Sequence, residues 1–179
     1  MTAQLGSRPA TVDTPTSEDE GPTELERAHD LLIRGFRLME RWDDAEASAL
    51  IAPSYTNAEA APEPPPAHLP GIAGYRGTYD WLHTAYEDLH WTVHKIVAEG
   101  DWVVVHTTMS GRQVGPFVTY TPDGQIGQVF PATGRNFAAT QTHWYRVADG
   151  QLIEHHANRD DMGQAMQLGW MEHPAEPSA

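Results

Sequence analysis

The sequence predicts an α+β domain: N-terminal helices packed against a curled antiparallel sheet that encloses a cavity. Two observations carry this. Helical periodicity occupies the first half of the chain, and from His90 the texture changes to β-branched and aromatic residues punctuated by turns. Helices followed by strands is the order of an α+β fold, not of a doubly wound nucleotide fold. No Gly-x-Gly-x-x-Gly or P-loop follows a strand.

The elements follow in order. Residues 1–22 are rich in Thr, Pro, Ser and acids and hold too little apolar surface to offset ordering entropy, so a disordered tail is expected. Thr23-Glu24-Leu25-Glu26 is a capping box behind Pro22. Leu25, Ala28, Leu32, Phe36 and Met39 then recur at helical spacing, which predicts a helix over 23–41. A second, short helix is expected over Asp43–Ile51. Residues 53–74, with five prolines between Pro62 and Pro70, read as a long loop, and long loops are often functional. Tyr75, Tyr79, Leu82 and Tyr86 mark a third helix reaching about Asp88. Strands are expected at 90–98 and 102–110, and Gly111 to Gly134 reads as irregular. Strands at 136–147 and 151–158 flank Ala148-Asp149-Gly150, a strong hairpin signal. Asp160 to Leu168 closes as a helical turn that Gly169 is placed to end. The domain is thus expected over 23–172, with a second disordered tail at 173–179.

Bulk composition excludes several functions. The chain has 179 residues and a formal charge of −14, from 25 acids and 11 bases, with Lys95 as its single lysine. Phosphate binding draws on clustered Lys and Arg, so nucleic acid, anionic membrane surfaces and nucleotides are disfavoured as partners. No cysteine is present, which removes disulfides, thiolate nucleophiles and sulfur-ligated zinc and fits a reducing cytoplasm. No apolar run is long enough to span a bilayer, and Met1 to Thr16 lacks the apolar core of a signal peptide. Ten histidines and six tryptophans are many for this length and suit proton chemistry in an apolar pocket.

The hairpin concentrates the chemistry. Alternation puts Gln141, His143 and Tyr145 on one face of their strand, and Ile153, His155 and Ala157 on one face of the next. Gln141, His143 and His155 can then point into one interior. Buried, they must bond one another or a ligand. The readings are a structural hydrogen-bond network and a small-molecule site. Glu154-His155-His156 does not make a metal site, because adjacent strand histidines point apart and no His-Glu-x-x-His is present. No Gly-x-Ser-x-Gly elbow occurs. Asp160 either caps the last helix or faces the cavity mouth as a general base. Of the aromatic residues, Trp81 and Trp102 are taken as substrate-lining.

Several segments together resemble the SnoaL-like polyketide cyclase family. They are Ala148 to His155, then Asp160, Gly163 and Gln167-Leu168-Gly169, with Gly111-Arg112-Gln113-Val114-Gly115, Ala132 to Phe137 and Gln141-Thr142-His143 before them. The resemblance runs from Leu25 to Trp170. It implies the nuclear-transport-factor-2-like fold, a cone of sheet and helices, and a cofactor-free, often dimeric enzyme that closes a ring by intramolecular aldol condensation. It also implies that Tyr55-Thr56-Asn57 matches the family's Tyr-x-Asn, Gln141 and His143 its Gln-x-His, and His155 the histidine of the last strand. The family's aspartate base, two residues further on, is replaced here by Ala157. The expectation is therefore acid–base cyclisation or isomerisation of a polyketide-like molecule, with His143, His155 or Asp160 moving the proton and Gln141 and Asn57 bonding the oxyanion. Water addition, epoxide opening or hydroxylation on the same scaffold is an alternative, and a non-catalytic binding module is another. Segment 116–128, longer than in small cyclases, suits a lid. The open outer sheet face suits a homodimer.

Overall fold

The structure, a computed structural model, describes residues 21–59 and 62–172. The two expected tails, apart from Gly21 and Pro22, lie outside the described residues.

Helix α1 (Glu24–Glu40) starts at the capping box: Thr23 Oγ1 accepts from the Glu26 amide, and the Glu26 carboxylate accepts from the Thr23 amide. Its buried face carries Ala28, Leu32, Phe36 and Met39, while Leu25 is 51% exposed and does not join the core. Helix α2 (Asp44–Leu50) is capped by Asp43. The expected loop over 53–74 is corrected at both ends. Strand β1 (Ile51–Asn57) leads directly out of α2, and a 3₁₀ turn (Pro65–His68) precedes α3 (Ile72–Ala85). Pro53 hides the strand in the sequence, yet β1 is an edge strand, where a missing N–H costs no ladder bond. Helix α3 lies hard against the 3₁₀ turn because Gly74 and Gly77 have no side chain: a Cβ at Gly74 would stand 2.0 Å from the Leu69 carbonyl oxygen.

The expected third helix also stops early. Strand β2 (Tyr86–Glu99) begins at Tyr86, and Asp88, with φ of 53°, sits where its pairing with the next strand shifts register. Strand β3 is Trp102–Gln113. The stretch expected to be irregular holds a two-stranded ribbon, β4 (Phe117–Tyr120) and β5 (Ile126–Phe130). Strands β6 (Asn136–Ala148) and β7 (Gln151–Arg159) form the expected hairpin, with Asp149 and Gly150 both at positive φ. Helix α4 (Asp161–Leu168) ends at left-handed Gly169.

The main sheet has the order β1-β7-β6-β3-β2. It is mixed and not wholly antiparallel, because β1 pairs parallel to β7. The helices cover one face, and the core lies between them and the sheet, around Leu32, Leu50, Tyr86, Val105 and Leu152. No helix among the described residues is long and apolar enough to cross a membrane.

Candidate active site

A cavity of about 300 Å³ opens between the helices and the inner face of the sheet. Its apolar wall includes Phe36, Trp81, Trp91, Phe117 and Phe130. The β4–β5 ribbon contributes Phe117 and Phe130, which stack on Trp170 at 5.2 and 4.4 Å. Gln113, fully buried, ties this end together. Its amide nitrogen donates to the Phe130 and Pro131 carbonyls, and its oxygen accepts from Thr133 and the Trp170 indole.

The polar wall belongs to β6 and β7. Alternation sends Gln141, His143, Tyr145 and His155 inward, all buried and all lining the cavity. They form a hydrogen-bonded chain. The Trp91 indole donates to Gln141 Oε1 at 3.2 Å, and His143 Nε2 meets the same oxygen at 2.8 Å. His143 Nδ1 lies 2.9 Å from His155 Nε2, and His155 Nδ1 lies 3.1 Å from Asn57 Oδ1. Asn57 Nδ2 donates to Glu63 Oε2 at 2.9 Å, and Thr78 Oγ1 donates to that oxygen at 2.7 Å. Both ring nitrogens of each histidine are therefore engaged. Burial pushes His143 down to about 3, helped by the positive charge of Arg159. Burial, then His143, Arg159 and His156, push His155 well below the ordinary imidazole range. Two neutral rings carry two protons for the three links between Gln141 and Asn57, and the link to Asn57 is the longest of the three.

The other expected residues fall in different places. Trp81 lines the cavity, its indole donating to the Val118 carbonyl at 2.7 Å. Trp102 does not line it. It pairs across the sheet with Arg146, whose guanidinium lies 5.7 Å from its ring, and neighbours the outward-facing His156. One residue of strand register sets that outcome. Asn57 stands behind His155 and reaches the cavity only through that ring. Asp160 is exposed and caps α4, accepting from the Gly163 amide at 2.8 Å, so it does not face the cavity.

Two groups on the polar wall, Arg159 and Glu59, do not stand out in the sequence analysis above. Arg159 continues the His155, Ala157 face of β7, so the period-2 pattern was sufficient to find it. It pairs with Glu59 at 3.0 Å. Glu59 follows β1, where no periodicity points a side chain, and only the functional bias of long loops hinted at it. Its side chain is 5% exposed. Burial, opposed by Arg159 and reinforced by a hydrogen bond to Glu63, raises its carboxyl to about 7. Tyr55 and Tyr145 line the cavity as well, their phenols held neutral chiefly by burial. No cluster of metal-ligating side chains occurs among the described residues.

Residues 31–168 match the SnoaL-like polyketide cyclase family. The chain belongs to that family. Among its SnoaL-like relatives are two aklanonic acid methyl ester cyclases. DnrD of Streptomyces peucetius is 31% identical over 56% of this chain and 63% of its own length. DauD of Streptomyces sp. (strain C5) is 30% identical over 69% of this chain and 70% of its own. The nogalonic acid methyl ester cyclase of Streptomyces nogalater is 29% identical over 50% of this chain and 60% of its own length. The matched stretches thus span between about three fifths and seven tenths of these relatives. Among solved structures, TsrD from Streptomyces laurentii superposes with a TM-score of 0.66 at 27% identity, over 84% of this chain and all of the other. IdmH from Streptomyces antibioticus gives 0.62 at 25% identity, over 79% and 98% of the two chains.

Proposed function

We propose that this SnoaL-like chain is an enzyme that closes or isomerises a ring in an apolar, oxygenated, polyketide-like molecule by acid–base catalysis, without a cofactor. The observation that carries the reading is the division of one cavity into an aromatic wall and a polar wall of proton-handling groups. An aromatic polyketide buries its rings against Phe36, Trp81 and Phe117 and turns its carbonyl oxygens toward β6 and β7. Ring closure by aldol addition needs one proton removed and one returned, and side chains suffice for both. Gln141 Nε2 has only the weak acceptor Met109 Sδ, at 3.5 Å, among the described residues and is free to donate to an oxyanion. Tyr145 lines the cavity from the same face of β6, on the far side of the His143 ring that it stacks on. In this reading the histidine pair holds Gln141 and Tyr145 in place.

The test is direct. Aklanonic acid methyl ester and nogalonic acid methyl ester, substrates named for the relatives, are incubated with the purified chain and the products separated by chromatography and mass spectrometry. The expected product is a ring-closed isomer of unchanged mass. Incorporation of oxygen from labelled water would favour hydration, and recovery of a tightly bound, unaltered compound would favour a binding module. A homodimer belongs to the same proposal. The outer sheet face leaves Trp144 43% exposed, and sedimentation equilibrium measures the association.

A further inference from the structure

We propose that Glu59 is the general base of this cavity, with Arg159 as its positioning residue. This deepens the acid–base reading above and rests on it. Elimination among the cavity's groups leads there. Every ring nitrogen of His143 and His155 lies within 3.1 Å of a neighbour in the side-chain network and is blocked from a substrate by it. Asp160 is turned into the α4 cap. Asp161 lines the cavity but its side chain is 75% exposed, so it resembles a solvated surface carboxylate. Ala157, between His155 and Arg159 on β7 and paired with His143, offers no functional group. Glu59 is the carboxylate that both lines the cavity and is shielded from solvent.

Its surroundings suit the task. A base that works near neutrality needs a proton affinity close to the ambient pH, and an ordinary carboxylate is too weak. Arg159 faces Glu59 from β7, Asp161 from α4, Glu63 from the loop that follows, and the phenols of Tyr55 and Tyr145 from β1 and β6. Burial, reinforced by the two acids Glu63 and Asp161, pushes Glu59 up to about 7. Arg159 stops the rise from going further and fixes the carboxylate against β7. A protonated Glu59 can donate its proton in the hydrogen bond to Glu63, whose buried Oε1 has no other partner among the described residues.

The step balances. The Glu59 carboxylate takes a proton from the carbon alpha to a substrate carbonyl, and the C–H electron pair becomes the enolate. The enolate carbon bonds to a second carbonyl carbon, whose π pair moves to its oxygen. That alkoxide recovers the proton from the Glu59 carboxylic acid, leaving an isomer of the substrate.

The first readout does not depend on ring closure. Exchange of the alpha hydrogens of 2-tetralone, an apolar bicyclic ketone, is followed in D2O by proton NMR with the wild-type chain, Glu59→Gln, Glu59→Asp and Arg159→Gln. We expect wild-type acceleration, a loss of ~10²–10⁴-fold in Glu59→Gln and an intermediate rate in Glu59→Asp. Exchange should fall as pH drops through about 7, the value at which Glu59 takes up its proton. Arg159→Gln should move that fall to higher pH, a shift that a merely structural role would not produce. Circular dichroism checks that each variant is folded. If Glu59→Gln does not fold, the Arg159→Gln shift and carboxyl ¹³C titration of the wild type decide. No wild-type acceleration over buffer alone, acceleration retained within tenfold in Glu59→Gln, or a Glu59 carboxyl titrating below 5 each overturns the assignment. Exchange that depends on Glu59 without ring closure of the two methyl esters would uphold the base and reject the cyclase reading.

Discussion

Replacing Gln141 by Leu should destabilise the protein by about 2 kcal/mol, and the same replacement should cost much less in a Trp91→Phe background. One oxygen atom carries the effect. Gln141 Oε1 accepts from Trp91 Nε1 at 3.2 Å and from His143 Nε2 at 2.8 Å, and Gln141 is 2% exposed. Leu has nearly the same volume, so no large cavity opens. What remains is two donors without an acceptor, each costing ~1–3 kcal/mol when buried. His143 escapes this cost, because a neutral imidazole can move its proton to Nδ1 and donate to His155 instead. The indole of Trp91, 6% exposed, is a donor only and cannot. The penalty is therefore carried by one N–H group and should appear as a coupling of ~1–2 kcal/mol between positions 91 and 141. Urea denaturation of the wild type, Gln141→Leu, Trp91→Phe and the double variant measures it. Additivity within ~0.3 kcal/mol would refute the reasoning, since contacting groups that share a bond must couple.

Four further outcomes follow from the structure. The depressed value of His143, about 3 against 6.5 unfolded, means that the unfolded chain binds the extra proton between those limits. That contribution is intact above pH 6.5 and should cost ~2 kcal/mol by pH 5, so His143→Gln should flatten the acid side of the stability profile in urea midpoints. Glu59 acts in the opposite sense, its contribution being present below pH 4.5 and lost as pH rises through about 7, so Glu59→Gln should flatten the neutral side. Gly74→Ala should destabilise the protein by ~1–3 kcal/mol, read as a lower thermal midpoint, despite the better helix propensity of Ala, because its Cβ meets a backbone oxygen at 2.0 Å. Asp160→Ala should cost ~1 kcal/mol through loss of the α4 cap, while Asp160→Asn should retain most of it, as thermal denaturation will show.

The cavity sets an aromatic wall against a polar wall. Its polar groups are tied to one another across β1, β6, β7 and the loop after β1, so the site depends on parallel pairing of β1 with β7. Asn57 pairs directly with His155 in that register. A slip of one residue would turn the Asn57 side chain away from the ring.

The sequence by itself determined what depends on near neighbours along the chain. The capping box at Thr23, the helical stripe from Ala28 to Met39, the Asp149-Gly150 turn and the inward face of Gln141, His143 and His155 are all local patterns, and each appears in the fold. The same alternation also contained Arg159. Tertiary structure decided the rest, because the deciding partners are distant in sequence. Strand β1 exists despite Pro53 because β7, about a hundred residues away, offers it an edge. Trp102 faces outward because of its register with Arg146, and Asp160 is a cap because β7 ends one residue before it. Glu59 acquires its character only when folding brings Arg159, Glu63 and Asp161 around it and removes water. Desolvation and long-range charge have no periodicity along a chain, so the cavity wall was legible in the strand pattern while the carboxylate set into it was not.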